Sequence, residues 1–176
     1  MQVKGDTGFS NINWSKIDKE KAEFIYNEAI ARLDSIHKNI DGITNKSIGL
    51  LTISLPIMTA LVGFFVVRWG NISTPLFATS ICAIVFLFAI LVVLLLILLP
   101  KGVSSAQGEP VTYFTGDYYL QEMENIYKGN IQTLQNCIDE DHAVLNFRGN
   151  LFRAAVLLFA SLPTVTAIVA IICTRF

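Results

Sequence analysis

Three stretches without a single Lys, Arg, Asp or Glu dominate this chain of 176 residues: 47–67, 69–100 and 154–174. A helix of roughly 18 or more apolar residues crosses the hydrocarbon of a bilayer, because all its backbone hydrogen bonds are internal. Each stretch is long enough. The first, 47–67, spans about 30 Å at 1.5 Å per residue. The second, read as 72–99, exceeds one crossing, so it tilts or extends past the headgroups. The third, read as 151–173, is the least pure, with Ser161, Pro163, Thr164 and Thr166 inside it. Composition agrees, with 53% apolar and only 15% charged residues, where soluble proteins are about a quarter charged. The expectation is an all-α membrane protein. It has an N-terminal cytoplasmic helix, a tight transmembrane helical hairpin, and a long C-terminal helix ending in a third apolar segment. None of the runs reads as a cleaved signal peptide: the first starts far from residue 1 and no short apolar core precedes it.

Four segments follow along the chain. Residues 1–46 comprise a glycine-containing arm (1–14), with Trp14 as an anchor, and an amphipathic helix over 15–46. Ile25, Ala29, Leu33, Ile36, Ile40 and Ile43 step by three or four residues along that helix. Ser15 with Asp18 forms a loose N-cap arrangement, and Gly42 and Gly49 are candidate bends where this helix runs into the first span. Residues 47–100 form the hairpin, turning at Trp69, Gly70 and Asn71 and ending at Pro100 and Gly102, with Lys101 at the interface. Residues 101–150 hold a loop over 102–116 and a second amphipathic helix from about Asp117. Its stripe is Leu120, Met123, Tyr127, Ile131, Leu134, Ile138 and Leu145. Residues 151–176 are the third apolar helix, taken as a third crossing or as a helix buried in an assembly. Lys38, Lys46, Lys101, Arg148 and Arg153 lie at one set of span ends, and Arg68 and Arg175 at the other. Cations mark the cytoplasmic side, so the N-terminus and the 101–150 segment share the cytoplasm. The two amphipathic stripes can therefore pack together.

The cytoplasmic segments carry eight Lys and two Arg against all fourteen acids, a net of −4. Nucleic-acid binding leaves a basic footprint, and this chain has none, so no direct nucleic-acid contact is expected. It has no Gly-rich phosphate loop, no nucleophile elbow and no metal-ligand cluster, so neither metal nor cofactor is expected. Cys82, Cys137 and Cys173 lack paired spacing and read as small packing residues. His142, behind Asp139, Glu140 and Asp141, reads as part of an acidic surface turn of the second helix. The three charge-free runs, 47–67, 69–100 and 154–174, also lack His, against a proton-coupled transporter.

Two patterns carry functional weight. In Arg32-Leu-Asp-Ser-Ile-His37 an Arg and a His are separated by four residues, as in the motif of HEPN ribonucleases. There His moves a proton and Arg stabilises a pentavalent phosphate. On a regular helix the two side chains lie about 140° apart, and Leu33 stands where those enzymes carry a polar residue. The pair is read as a solvated and packing pair, or as an assembly or interaction element, with no catalytic residue assigned. In the first span Thr52, Pro56, Thr59 and Gly63 share one face. Such a small, hydroxyl-bearing stripe serves close helix packing, or lines a narrow pore when several copies face an axis. Thr52, Thr59 and Gly63 are the pore-lining candidates, and Pro56 and Pro163 the kink candidates.

In its length, in the Arg32–His37 motif and in the two closely spaced spans after it, the chain resembles the small transmembrane accessory proteins of type VI-B CRISPR loci. The resemblance implies a homo-oligomeric ring that forms a pore and depolarises the inner membrane. It also implies a functional, indirect or direct, partnership with an RNA-guided RNA-targeting nuclease in antiphage defence. The HEPN-like motif would be divergent and without ribonuclease activity. Two other readings are a membrane-anchored HEPN-type ribonuclease and a membrane scaffold that recruits a soluble partner.

Overall fold

The computed structural model describes residues 17–70, 72–100, 102 and 122–175. Of these, 92% are helical, in three helices and with no strand among them. Helix α1 is Lys19–Val67, α2 is Thr74–Leu98 and α3 is Met123–Arg175. All three are long and apolar enough to cross a membrane. The arm 1–14, Trp14, Ser15, Asn71, Lys101 and residues 103–121, including Leu120, lie outside the described residues, as does the side chain of Met123.

Helix α1 starts later than the amphipathic pattern alone places it. Asp18 is the N-cap: its carboxylate accepts the Lys21 N–H at 2.9 Å and its carbonyl accepts the Ala22 N–H at 3.0 Å, satisfying donors that a helix start leaves open. The same side chain binds the Lys21 ammonium at 2.9 Å. The bond from the Lys21 backbone, followed by that ammonium, lowers the Asp18 pKa from its ordinary value. The start expected for helix α3 near Asp117 lies outside the described residues, and the helix runs from Met123. Its first turn closes on the Glu122 carbonyl, which accepts from Asn125 and Ile126. Gly42 and Gly49, the candidate bends, sit inside an uninterrupted α1.

The chain divides into two compact units, 1–40 with 101–145, and 41–100 with 146–176. In the first, α1 and α3 present matching seams. Ala22, Tyr26, Ala29, Leu33, Ile36 and Ile40 alternate steps of four and three, and so do Tyr127, Ile131, Leu134, Ile138, Asp141 and Leu145. Repeats of 3.5 residues keep two helices facing each other. Leu33, Ile36, Ile40, Leu134, Ile138 and Val144 form the core, with Tyr26, Ala29, Ile30, Cys137 and Leu145 against it. The rings of Tyr26 and Tyr127 meet at 5.4 Å, and His37 meets Asp141. Partner numbers rise together, so the two helices run parallel here. Ile25 is exposed: it steps off the seam, whose earlier positions are Ala22 and Tyr26.

In the second unit α1, α2 and α3 pack together. Ser80, Ala83, Leu87, Ile90, Leu94 and Ile97 are the buried seam of α2, again at steps of three and four. Leu87, Ile90, Leu94, Ile97 and Ala155 form the core, with Leu50, Leu51, Met58 and Leu61 of α1 and Leu151, Phe152, Leu158 and Phe159 of α3 around it. Ser47 and Ser54, seven residues apart on α1, are fully buried. Their hydroxyls donate to the carbonyls of Ile43 and Leu50 at 2.8 Å, so small side chains allow close approach without leaving a polar atom unpaired. The outward faces are apolar too: Ile53, Val66, Phe88, Leu95, Leu157 and Ile171 are all exposed. That pattern suits hydrocarbon as the surrounding solvent.

The α1–α2 hairpin is tight. Gly70 takes a left-handed φ of +88°, which glycine reaches without a Cβ penalty. Phe65, Trp69 and Phe77 cluster at the tip with centroids 5.1 to 6.3 Å apart. Trp69 stays 68% exposed, as aromatic side chains do at a membrane surface. Pro75 occupies the first turn of α2, where its missing N–H costs nothing. At the other end Leu99 leaves helical geometry (φ −57°, ψ 130°), as the residue before Pro100 must.

Candidate functional site

Three features of the structure bear on function. The first is the polar pair of the α1–α3 seam. His37 Nε2 lies 2.8 Å from Asp141 Oδ2, with Asp141 only 1% exposed and His37 31% exposed. A buried carboxylate is tolerated when it has hydrogen-bonding partners, and His37 reaches it from one position past Ile36. Arg32, five residues earlier, is exposed on α1. The motif therefore splits: its His is engaged in the seam and its Arg faces outward. Beside them Lys38 binds Asp34 at 2.6 Å across one helical turn, and that hydrogen bond raises the Lys38 pKa.

The second feature is Arg148. Among the cations of the second unit it is the buried one, at 8% exposure. Its Nη1 donates to Thr44 Oγ1 and its Nη2 to the Leu99 carbonyl, both at 3.3 Å, so one side chain of α3 reaches α1 and the C-terminal end of α2. A cation there answers the negative end of the α2 dipole and a carbonyl with no intrahelical donor.

The third is the outward face of α1 in the second unit. Thr52, Pro56, Thr59 and Gly63 are all exposed. The Thr52 and Thr59 hydroxyls donate to Ile48 and Leu55 carbonyls at 2.9 Å. Thr59 and Gly63 also help line a groove of about 540 Å3 between α1 and α2, with Met58, Val62, Phe88 and Leu91 among its other walls. The inward face of α1 is the one carrying Ser47, Leu51, Ser54, Met58 and Leu61. Pro56 and Pro163 both lie inside their helices, each removing one donor from the backbone ladder.

Asp139, Glu140 and His142 are exposed, while Asp141 between them is buried. The acidic run thus lies within a continuous α3 and splits between its surface and the seam. Asp141 and the buried state of Arg148 were not assigned from sequence. A signal for the former existed: Ile138 and Leu145 are seven residues apart, and Asp141 fills the seam position between them. Cys82, Cys137 and Cys173 are all partly buried. Among the described residues no group of three or more His, Cys, Asp or Glu comes together to hold a metal ion.

No family model matches the chain, and no curated protein or solved structure shows significant similarity to it. What the fold defines is an all-helical protein with three helices able to span a membrane. A His–Asp pair joins α1 and α3 in one unit, and a buried Arg joins all three helices in the other.

Proposed function

We propose that the chain is the protomer of a homo-oligomeric pore in a bacterial inner membrane, with its N-terminus cytoplasmic. In this proposal the pore depolarises that membrane and so reinforces RNA-targeting CRISPR defence against phage; the chain is not an enzyme. The observation that carries the pore is the exposed face of Thr52, Pro56, Thr59 and Gly63 on an apolar helix. Hydroxyl-bearing and small residues there are not used to pack the protomer's own three helices. A three-span protomer cannot enclose an aqueous path alone, so a lumen requires several copies about an axis. Thr52, Thr59 and Gly63 then face that lumen. In the same proposal Arg32, which is exposed, lies at a contact between protomers. The link to RNA-targeting defence rests on the resemblance described above.

The test is Thr59→Leu in planar bilayers. The reading expects altered single-channel conductance with unchanged assembly. Wild-type conductance from a correctly assembled variant contradicts the lumen assignment.

The charge of the first unit favours one further reading. Eight cations against thirteen acids leave it at −5, a surface suited to recruiting a basic soluble partner. A scaffold of that kind predicts salt-sensitive binding and an unchanged membrane permeability.

A further inference from the structure

The second unit contains five cations and a single acid, a net of +4. Lys46, Arg68, Arg153 and Arg175 are exposed, as is the acid, Asp41; Arg148 is buried. Its guanidinium has five N–H groups, of which one meets the Thr44 hydroxyl and one the Leu99 carbonyl, at 3.3 Å each. Neither acceptor bears a charge, and none of the ion pairs among the described residues includes Arg148. The α2 dipole supplies a partial negative charge only. A buried cation is costly unless a full counter-charge and further acceptors reach it.

The position of Arg148 indicates where that counter-charge comes from. Thr44 precedes the first charge-free run, Leu99 and Pro100 close the second, and Arg148 precedes the third. The three side chains or carbonyls that meet here therefore mark one end of all three apolar segments. That is the headgroup level of a bilayer, with Lys46 and Arg153 close by in sequence. Phosphate oxygens are the abundant anions at that level, and the planar fork of arginine matches them with two parallel bonds where lysine offers a point charge.

We propose that Arg148 is a binding site for a phosphate-bearing anion at the membrane–water boundary. The shared chemistry belongs to the phosphodiester of an anionic lipid headgroup and to free inorganic phosphate. The bound anion neutralises the guanidinium where α1, α2 and α3 meet.

The test uses the full chain purified in a maltoside detergent, which contains no phosphate, and follows its thermal unfolding. Phosphatidylglycerol, diacylglycerol with the same acyl chains, and inorganic phosphate are titrated separately. Phosphatidylglycerol is expected to stabilise the wild type over diacylglycerol, and Arg148→Gln to weaken its apparent affinity by about tenfold, the scale of a lost charged hydrogen bond. Arg153→Gln is expected to retain most of the affinity. Arg148→Lys keeps the charge and loses the fork, so it folds even where the Gln variant does not, and is expected to bind several-fold more weakly. Stabilisation by inorganic phosphate that both Arg148 variants lose supports the site and assigns it to the free anion. Equal stabilisation by diacylglycerol, or wild-type affinity in a folded Arg148 variant, overturns the proposal.

Discussion

His37 and Asp141 meet beside a core built mainly from Leu and Ile, with Val144, Tyr26, Ala29 and Cys137. Removing one partner of such a pair costs more than replacing both, because the survivor keeps its desolvation penalty. His37→Ala deprives the buried carboxylate of one partner, with an expected loss of about 1–3 kcal/mol. The double variant His37→Leu/Asp141→Leu is expected to recover a large part of that loss in thermal unfolding. A polar pair in a heptad seam also fixes register, since a slip by one residue would set Asp141 against an apolar neighbour. At the start of α1 the sign of the pH dependence follows from Asp18. Its pKa is lowered by the Lys21 bonds, so the cap is in force above the ordinary aspartate range, near about 4. It is lost as pH falls through the lower folded value. Amide exchange of Lys19–Ala22 is expected to quicken in acid, relative to the chemical rate, in wild type. Asp18→Ala is expected to show the fast exchange already at neutral pH. Equal protection in both proteins contradicts the capping role.

Among the helices, what a side chain faces decides what its loss costs. Leu134 is fully buried in the first unit, and Leu134→Ala is expected to cost about 2–5 kcal/mol of stability. Phe24 of the same unit is exposed, and Phe24→Ala is expected to stay within about 0.5 kcal/mol. Chemical denaturation of the two variants checks the contrast. Much of this level was legible from residue spacing. The charge-free runs marked the apolar parts of all three helices, and the steps of Leu33, Ile36 and Ile40, and of Ile131, Leu134 and Ile138, marked the seam. Spacing alone did not separate Ile25 from that seam, because a three- or four-residue step fits both faces of a stripe until the partner is known. Asp141 escaped for a related reason. A carboxylate at a core position looks like a surface residue until the opposite helix brings a histidine to it. Likewise Arg148 looked like a boundary charge, because nothing local announces that a carbonyl forty-nine residues away lies within reach. The helix start at Lys19 was displaced because apolar periodicity says nothing about which residue caps the backbone.

For the molecule as a whole, the distribution of charge and the choice of exposed faces carry the functional proposal. One unit is acidic, at −5, and the other is apolar and cationic, at +4. The apolar unit uses Ser47 and Ser54 to bring its own helices together and leaves Thr52, Thr59 and Gly63 outward. In a bilayer that face meets lipid, a neighbouring copy or a lumen, and the pore proposal assigns it to the lumen. The most direct test is leakage of a small dye and of potassium from liposomes reconstituted with the full chain, with the assembled mass measured in the same detergent. The account predicts leakage from a discrete oligomer of high mass. Tight liposomes containing such an oligomer, or containing only monomers and dimers, contradict it.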